Sequence, residues 1–363
     1  MVMAKRSSKL ALAFAFVMMM VVQGHAADPV AMFVFGDSLV DTGNNDYIAS
    51  TARANFRPNG LDYPTGKPTG RFCNGKIISD FISDFMGTEP IKPYLDPSND
   101  ENSLLLGSNF ASAGAGILNT TGRLFVTVLT VEKQYALFEE YKHKVAGIIG
   151  QAAMEKLVRT ALFSLTFGGN DYINNYLMPT ARSNKQFTLP QWQDILIAQY
   201  KIELRQLYNL GARKFSISSL GPLGCIPSQL NIQKSPDGTC IERLQTLSLN
   251  FNRALKTMTE ELNREIPDAT YVYVNSLKIF TDYLTNPKAY GFEVTNQACC
   301  GQGKYNGFLI CNRFSNLCAD RTKYIFWDPF HPTERVNKLI TDRVLNGPLS
   351  DISPVNIRQL LSM

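Results

Sequence analysis

Ala31-Met32-Phe33-Val34-Phe35-Gly36-Asp37-Ser38-Leu39 decides how the rest of the chain is read. Five apolar residues run into a glycine, and an acid and a hydroxyl follow it. Four further short runs have the same character: Ser108–Ala111, Leu162–Phe167, Lys214–Ser218 and Tyr271–Val274, each bounded by Gly, Asn, Ser or Pro. Short apolar runs between such breakers are the pattern of buried parallel strands. Helical patterns lie between them. Val131, Tyr135, Phe138, Val145 and Ile149 share one helix face, as do Leu244, Leu247, Phe251, Leu255, Met258 and Leu262. Strands alternating with helices predict an α/β fold, a parallel sheet covered on both faces.

Composition agrees. The 363 residues are 45% apolar and 18% charged, enough for a sizeable core and too apolar for a disordered polyampholyte. The formal charge of +5 is too small to make nucleic acid the default partner. No Ser/Pro/Gly linker, charge run or internal repeat marks a boundary, so one domain over 28–363 is expected, with long loops at 42–75 and 296–321.

Residues 1–27 have the layout of a secretory signal peptide. Lys5, Arg6 and Lys9 precede the unbroken apolar run Leu10 to Val22, and Gly24, His25, Ala26 and Ala27 suit a cleavage site. The rival reading, an uncleaved anchor, needs a run that spans a hydrocarbon core of ~30 Å, and this one is too short. No later stretch is long and apolar enough to cross a membrane. A secreted protein, extracellular or in the cell wall, is therefore expected. Cleavage takes away three positive charges, leaving +2, and removes His25.

In an oxidising compartment, cysteines read first as disulfides. Cys225 and Cys240 flank a loop and are expected partners. Cys299, Cys300, Cys311 and Cys318 form a cluster better suited to two bridges than to zinc, since two are adjacent and no histidine is near. Their connectivity stays open, and Cys73 is left over. Asn119-Thr120-Thr121 is a glycan acceptor motif at Asn119.

Ser38 stands just past the carboxyl end of the first strand, where open α/β sheets bind ligands. The glycine lets the chain turn there. Taken alone, Gly36-Asp37-Ser38-Leu39 reads first as a plain turn, because a serine needs an adjacent base before it is a nucleophile. Two histidines remain once His25 is gone. His143 lies on the charged side of a helix and reads as a surface residue. His331 follows Asp328 by three positions, near enough for the carboxylate to hold its imidazole N–H. Pro332 suits the first turn of a helix carrying Val336, Leu339 and Ile340. Acyl transfer also needs donors for an oxyanion. The third strand runs into Gly168-Gly169-Asn170-Asp171, where the Asn170 amide can donate. A glycine N–H within Asn109–Gly116 and the Ser38 N–H are further candidates.

Gly36–Asn45 resembles the opening block of plant GDSL esterase/lipases, which belong to the SGNH hydrolase superfamily. Gly114 within Asn109–Gly116 matches that family's second block. Gly168–Asp171 is similar to its Gly-x-Asn-Asp block, and Asp328–His331 to its closing Asp-x-x-His block. Four blocks in order form a specific signal that covers nearly all of the mature chain. The resemblance implies a flavodoxin-like three-layer α/β/α fold with a five-stranded parallel sheet. It implies Ser38 as nucleophile, His331 as base and then acid, and Asp328 as its orienter. Gly114 and Asn170 would join the Ser38 N–H in the oxyanion hole. The implied substrate is an acyl ester or lipid, with no metal and no organic cofactor. Cys225 to the Cys299–Cys318 cluster also resembles the cutin-synthase-like branch, for which transfer to an alcohol would replace hydrolysis.

Two readings of other classes compete. One is a secreted lipid- or carbohydrate-binding protein without turnover, against which the intact Ser38, Asp328 and His331 argue. The other is a nucleotide binder, which lacks a phosphate-binding glycine loop after the first strand. A Gly-x-Ser-x-Gly elbow is absent as well.

Overall fold

The computed structural model describes residues 30–178 and 180–363. The segment read as a signal peptide lies outside them. Strands β1 (Met32–Gly36), β2 (Gly107–Asn109), β3 (Leu162–Thr166), β4 (Lys214–Ser218) and β5 (Thr270–Val274) form a parallel sheet in the order β2-β1-β3-β4-β5. This is the doubly wound order in which sites form where the strand order reverses, here between β1 and β3.

The expected five strands gain a sixth. β6 (Ile352–Ser353) pairs antiparallel with β5 at the sheet edge. Two residues carry no readable periodicity, so only tertiary pairing defines this strand. The second strand extends only to Asn109, whose side chain accepts the Ala111 N–H (2.9 Å), while the Phe110 and Ser112 N–H groups still donate to the Val34 and Gly36 carbonyls of β1.

Helices cover both faces. On one side, Phe33, Phe35, Phe163, Leu165, Phe215 and Ile217 pack against α2 (Val131–Ile149), α3 (Gln151–Thr160), α4 (Leu189–Asn209) and α5 (Glu242–Glu265). Leu244, Leu247, Phe251, Leu255, Met258 and Leu262 of α5 are all buried, as their spacing required. The other side carries α1 (Ile78–Met86), α6 (Ser276–Thr285), α7 (Glu334–Asn346) and α8 (Ile357–Ser362), packed on Met32, Val34, Leu162, Val272 and Val274.

The long loop at 42–75 is anchored by a buried bidentate pair, Arg71 to Asp80 at 2.7 and 2.8 Å. The second long loop contains the short strands Val294–Ala298, Cys300–Gly301 and Asn316–Leu317. Three disulfides form: Cys225–Cys240, Cys299–Cys318 and Cys300–Cys311. The last two resolve the connectivity that spacing left open and take all four clustered thiols out of contention as zinc ligands. Cys73 is free and buried.

Candidate active site

β1 delivers Ser38 to the carboxyl edge of the sheet. Gly36 is required there because a Cβ would lie 2.6 Å from the Thr166 carbonyl oxygen of β3. The Gln134 side chain of α2 clamps the same glycine, accepting its N–H and donating to its carbonyl. The turn after β1 is fastened by Asp37 and Asp41. Asp37 accepts the Leu39 N–H, and Asp41 accepts those of Gly43, Asn44 and Ala113.

His331 arrives from the far end of the chain. The strand Tyr324–Phe326 pairs in parallel with Val294–Ala298. The disulfide-held segment then grips the next residues: the Cys299 N–H donates to the Phe326 carbonyl and the Cys300 N–H to the Trp327 carbonyl. Trp327 is fully buried and donates its indole N–H to Asn59. The cysteine cluster thus sets the position of the chain just before Asp328. The helix that follows starts two residues later than expected. Thr333 is the residue that precedes α7, and its hydroxyl donates to the Tyr324 carbonyl. Pro332 therefore lies outside the helix, and its backbone bridges to Phe326.

Ser38 Oγ lies 2.7 Å from His331 Nε2, and His331 Nδ1 lies 2.7 and 2.8 Å from the two carboxylate oxygens of Asp328. Asp328 also accepts the backbone N–H of Phe330 and of His331, so its orientation is over-determined. Asp328 and His331 are buried, and Ser38 is partly open. The Phe72 ring stacks obliquely on the imidazole with centroids 5.0 Å apart. A hydroxyl, imidazole and carboxylate joined in this way can pass the hydroxyl proton to the ring and stabilise the cation formed. His143 is exposed on α2, as its charged neighbourhood indicated.

Gly114 and Asn170 line the same cavity as Ser38 and His331. Gly114 has φ +90°, a conformation that favours glycine, and a Cβ there would run into the Phe125 ring. Among the described residues, the Ser38 and Gly114 N–H groups meet no backbone acceptor. Asn170 Nδ2 donates to the Ala115 carbonyl, and its Oδ1 accepts from Asn174, which leaves one amide hydrogen for the cavity.

Several residues that hold this arrangement escaped the sequence reading. Asp171 is fully buried and accepts from the Ile117 N–H, the Leu118 N–H and the Thr121 hydroxyl, tying β3's exit to the Gly114 segment. Burial raises its carboxyl to about 6. Asn44 donates to the carbonyls of Asn109 and Ala111, and Asn45 to those of Ala52 and Ala113. Asp37, read as a turn former, is buried directly behind Ser38, and desolvation raises its carboxyl to about 7. Thr121, third residue of the Asn119 motif, is buried, whereas Asn119 is exposed.

The family model for GDSL-like lipase/acylhydrolase matches residues 32–344. Among curated proteins, the chain is similar to three from Arabidopsis thaliana. It is 45% identical to GDSL esterase/lipase At4g28780 over 92% of this chain and 91% of that protein. It is 46% identical to GDSL esterase/lipase LTL1 over 90% and 89%, and 44% identical to GDSL esterase/lipase At5g18430 over 92% of each.

Proposed function

This chain belongs to the GDSL-like lipase/acylhydrolase family, and on that premise we propose that it is a secreted serine esterase that cleaves lipid acyl esters through an acyl-enzyme on Ser38. One observation carries the reading: His331 bridges Ser38 Oγ on one ring nitrogen and the Asp328 carboxylate on the other. His331 takes the Ser38 proton as Oγ bonds to the ester carbonyl carbon. The oxyanion that forms is met by the N–H groups of Ser38 and Gly114 and by the Asn170 amide. As the carbonyl re-forms, the bond to the alcohol oxygen breaks and His331 returns the proton to the leaving alcohol. Water then attacks the acyl-enzyme. His331 takes the water's proton, the bond to Oγ breaks, and Ser38 regains its hydrogen as the acid departs. Asp328 holds the imidazole tautomer and stays ionised throughout.

The three disulfides support an oxidising compartment, as does the signal-like segment at 1–27. Asn119 is exposed and open to a glycan.

The test is ester hydrolysis by the purified protein beside its Ser38→Ala variant. Free acid released by the wild type and not by the variant supports the reading. Equal rates from the two overturn it. Product analysis with an added alcohol identifies the acceptor, since new esters in place of free acid mean acyl transfer to the alcohol.

A further inference from the structure

The cavity at Ser38 has a volume of about 490 Å³ and extends well below the proposed nucleophile. It runs down between the sheet and α7. Thr166 of β3 and Ser218 of β4 stand near the sheet's carboxyl edge, and Ser164 and Ser216 stand two residues deeper on the same strands, all lining the cavity. They form a two-by-two patch, because Ser164 registers with Ser216 and Thr166 with Ser218. Two residues along a strand is roughly 6–7 Å. On the facing wall, Asn337, Ile340 and Val344 make one stripe of α7. Their span of seven residues is about 10 Å of helix. Ile78, Ile82 and Phe280 close the sides.

The two faces of these central strands differ sharply. One presents Phe163, Leu165, Phe215 and Ile217, all fully buried in the core. Past Leu162 and Lys214 at the strand starts, the other presents only small hydroxyl side chains. A parallel sheet covered by helices ordinarily carries bulky residues on both faces, so the small ones leave room that α7 does not fill. Ser164 and Ser216 are only 9% and 6% exposed, which puts the floor of the cavity deep inside the molecule.

We propose that this channel takes the acyl chain of the substrate, that Ser164 and Ser216 set its length limit, and that the protein prefers esters of medium to long straight-chain acids. The proposal rests on Ser38 as the nucleophile. With the carbonyl carbon at Ser38 Oγ, the acyl tail points into the channel and the alcohol lies toward the mouth, where Leu124, Phe308 and Leu309 are exposed. An extended chain advances roughly 1.2 Å per bond, as the peptide backbone does. The α7 stripe alone is then long enough for about eight carbons.

Two substrate series test this. In the first, p-nitrophenyl acetate, butyrate, octanoate and dodecanoate vary the acyl chain. In the second, straight-chain alkyl acetates vary the alcohol. The proposal expects kcat/KM to climb about three- to fourfold per methylene in the first series, the value of one buried methylene, before levelling off. The second series should stay comparatively flat. Ser216→Leu or Ser164→Leu, which fills the channel, should lower the octanoate-to-acetate ratio about tenfold or more. Ser216→Ala, which keeps the room, should preserve that ratio. A flat acyl series, or a rise confined to the alkyl acetates, overturns the channel assignment even if neither leucine variant folds. Failure to cleave any ester, the acetate included, counts instead against Ser38 as an ester-cleaving nucleophile.

Discussion

His331 Nε2 sits 2.7 Å from Ser38 Oγ although 293 residues of chain separate them. β1 fixes one partner, and a disulfide-held segment near the other end of the chain fixes the other. Groups that act as a unit show non-additive losses. Ser38→Ala and His331→Ala should each cut kcat for ester hydrolysis by about 10⁴-fold or more, and the double variant should be no worse than the single ones. Asp328→Asn should cost on the order of 10³- to 10⁴-fold. Losses that multiply in the double variant would mean that the two residues act separately.

Asn170 has one amide hydrogen left for the cavity. Removing one oxyanion donor typically costs about 10²- to 10³-fold in kcat. Asn170→Ala should show a loss of that size with KM changed much less, measured on one ester under saturating conditions. A loss confined to KM would assign Asn170 to ground-state binding.

The Cys299 and Cys300 backbones hold Phe326 and Trp327 just ahead of Asp328. Replacing both Cys300 and Cys311 with alanine should destabilise the fold by about 2–4 kcal/mol. Activity should also decline at denaturant concentrations where the sheet is still folded. Parallel unfolding curves from activity and from far-UV circular dichroism check this, and coincident curves would show that the bridge stabilises the fold without a separate hold on the site.

Asp37 is buried behind Ser38, with its carboxyl raised to about 7. A carboxyl whose pKa rises on folding binds more protons in the folded state than in the unfolded state between about pH 4 and pH 7, so its contribution to stability falls as pH rises through that window. Asp37→Asn keeps an acceptor for the Leu39 N–H and removes the titration. The melting temperature of the variant should therefore fall less than that of the wild type between about pH 5 and pH 8. Equal slopes would mean that the Asp37 carboxyl does not gain a proton on folding.

Residues in short-range patterns were legible in the sequence. His331 stood out because one acid lies three positions before it, and α5 because its apolar stripe keeps to steps of three and four throughout. β6 was not legible, since two residues have no period. Nor were the clamps: Gln134 reaches Gly36 over 98 residues, and Asp171 reaches Ile117 over 54. A buried polar residue does not announce its partner when that partner is distant in sequence. The channel had a visible signature that reading β3 and β4 as apolar runs passed over. Phe163-Ser164-Leu165-Thr166 and Phe215-Ser216-Ile217-Ser218 alternate large apolar with small hydroxyl residues, so one face of the central sheet is left thin.

Reaction of the folded protein with a fluorophosphonate, followed by peptide mapping, probes the nucleophile itself. One covalent adduct is expected, on Ser38, formed by the wild type and lost or strongly slowed in His331→Ala. An unlabelled folded wild type, or an adduct on another residue, would contradict it.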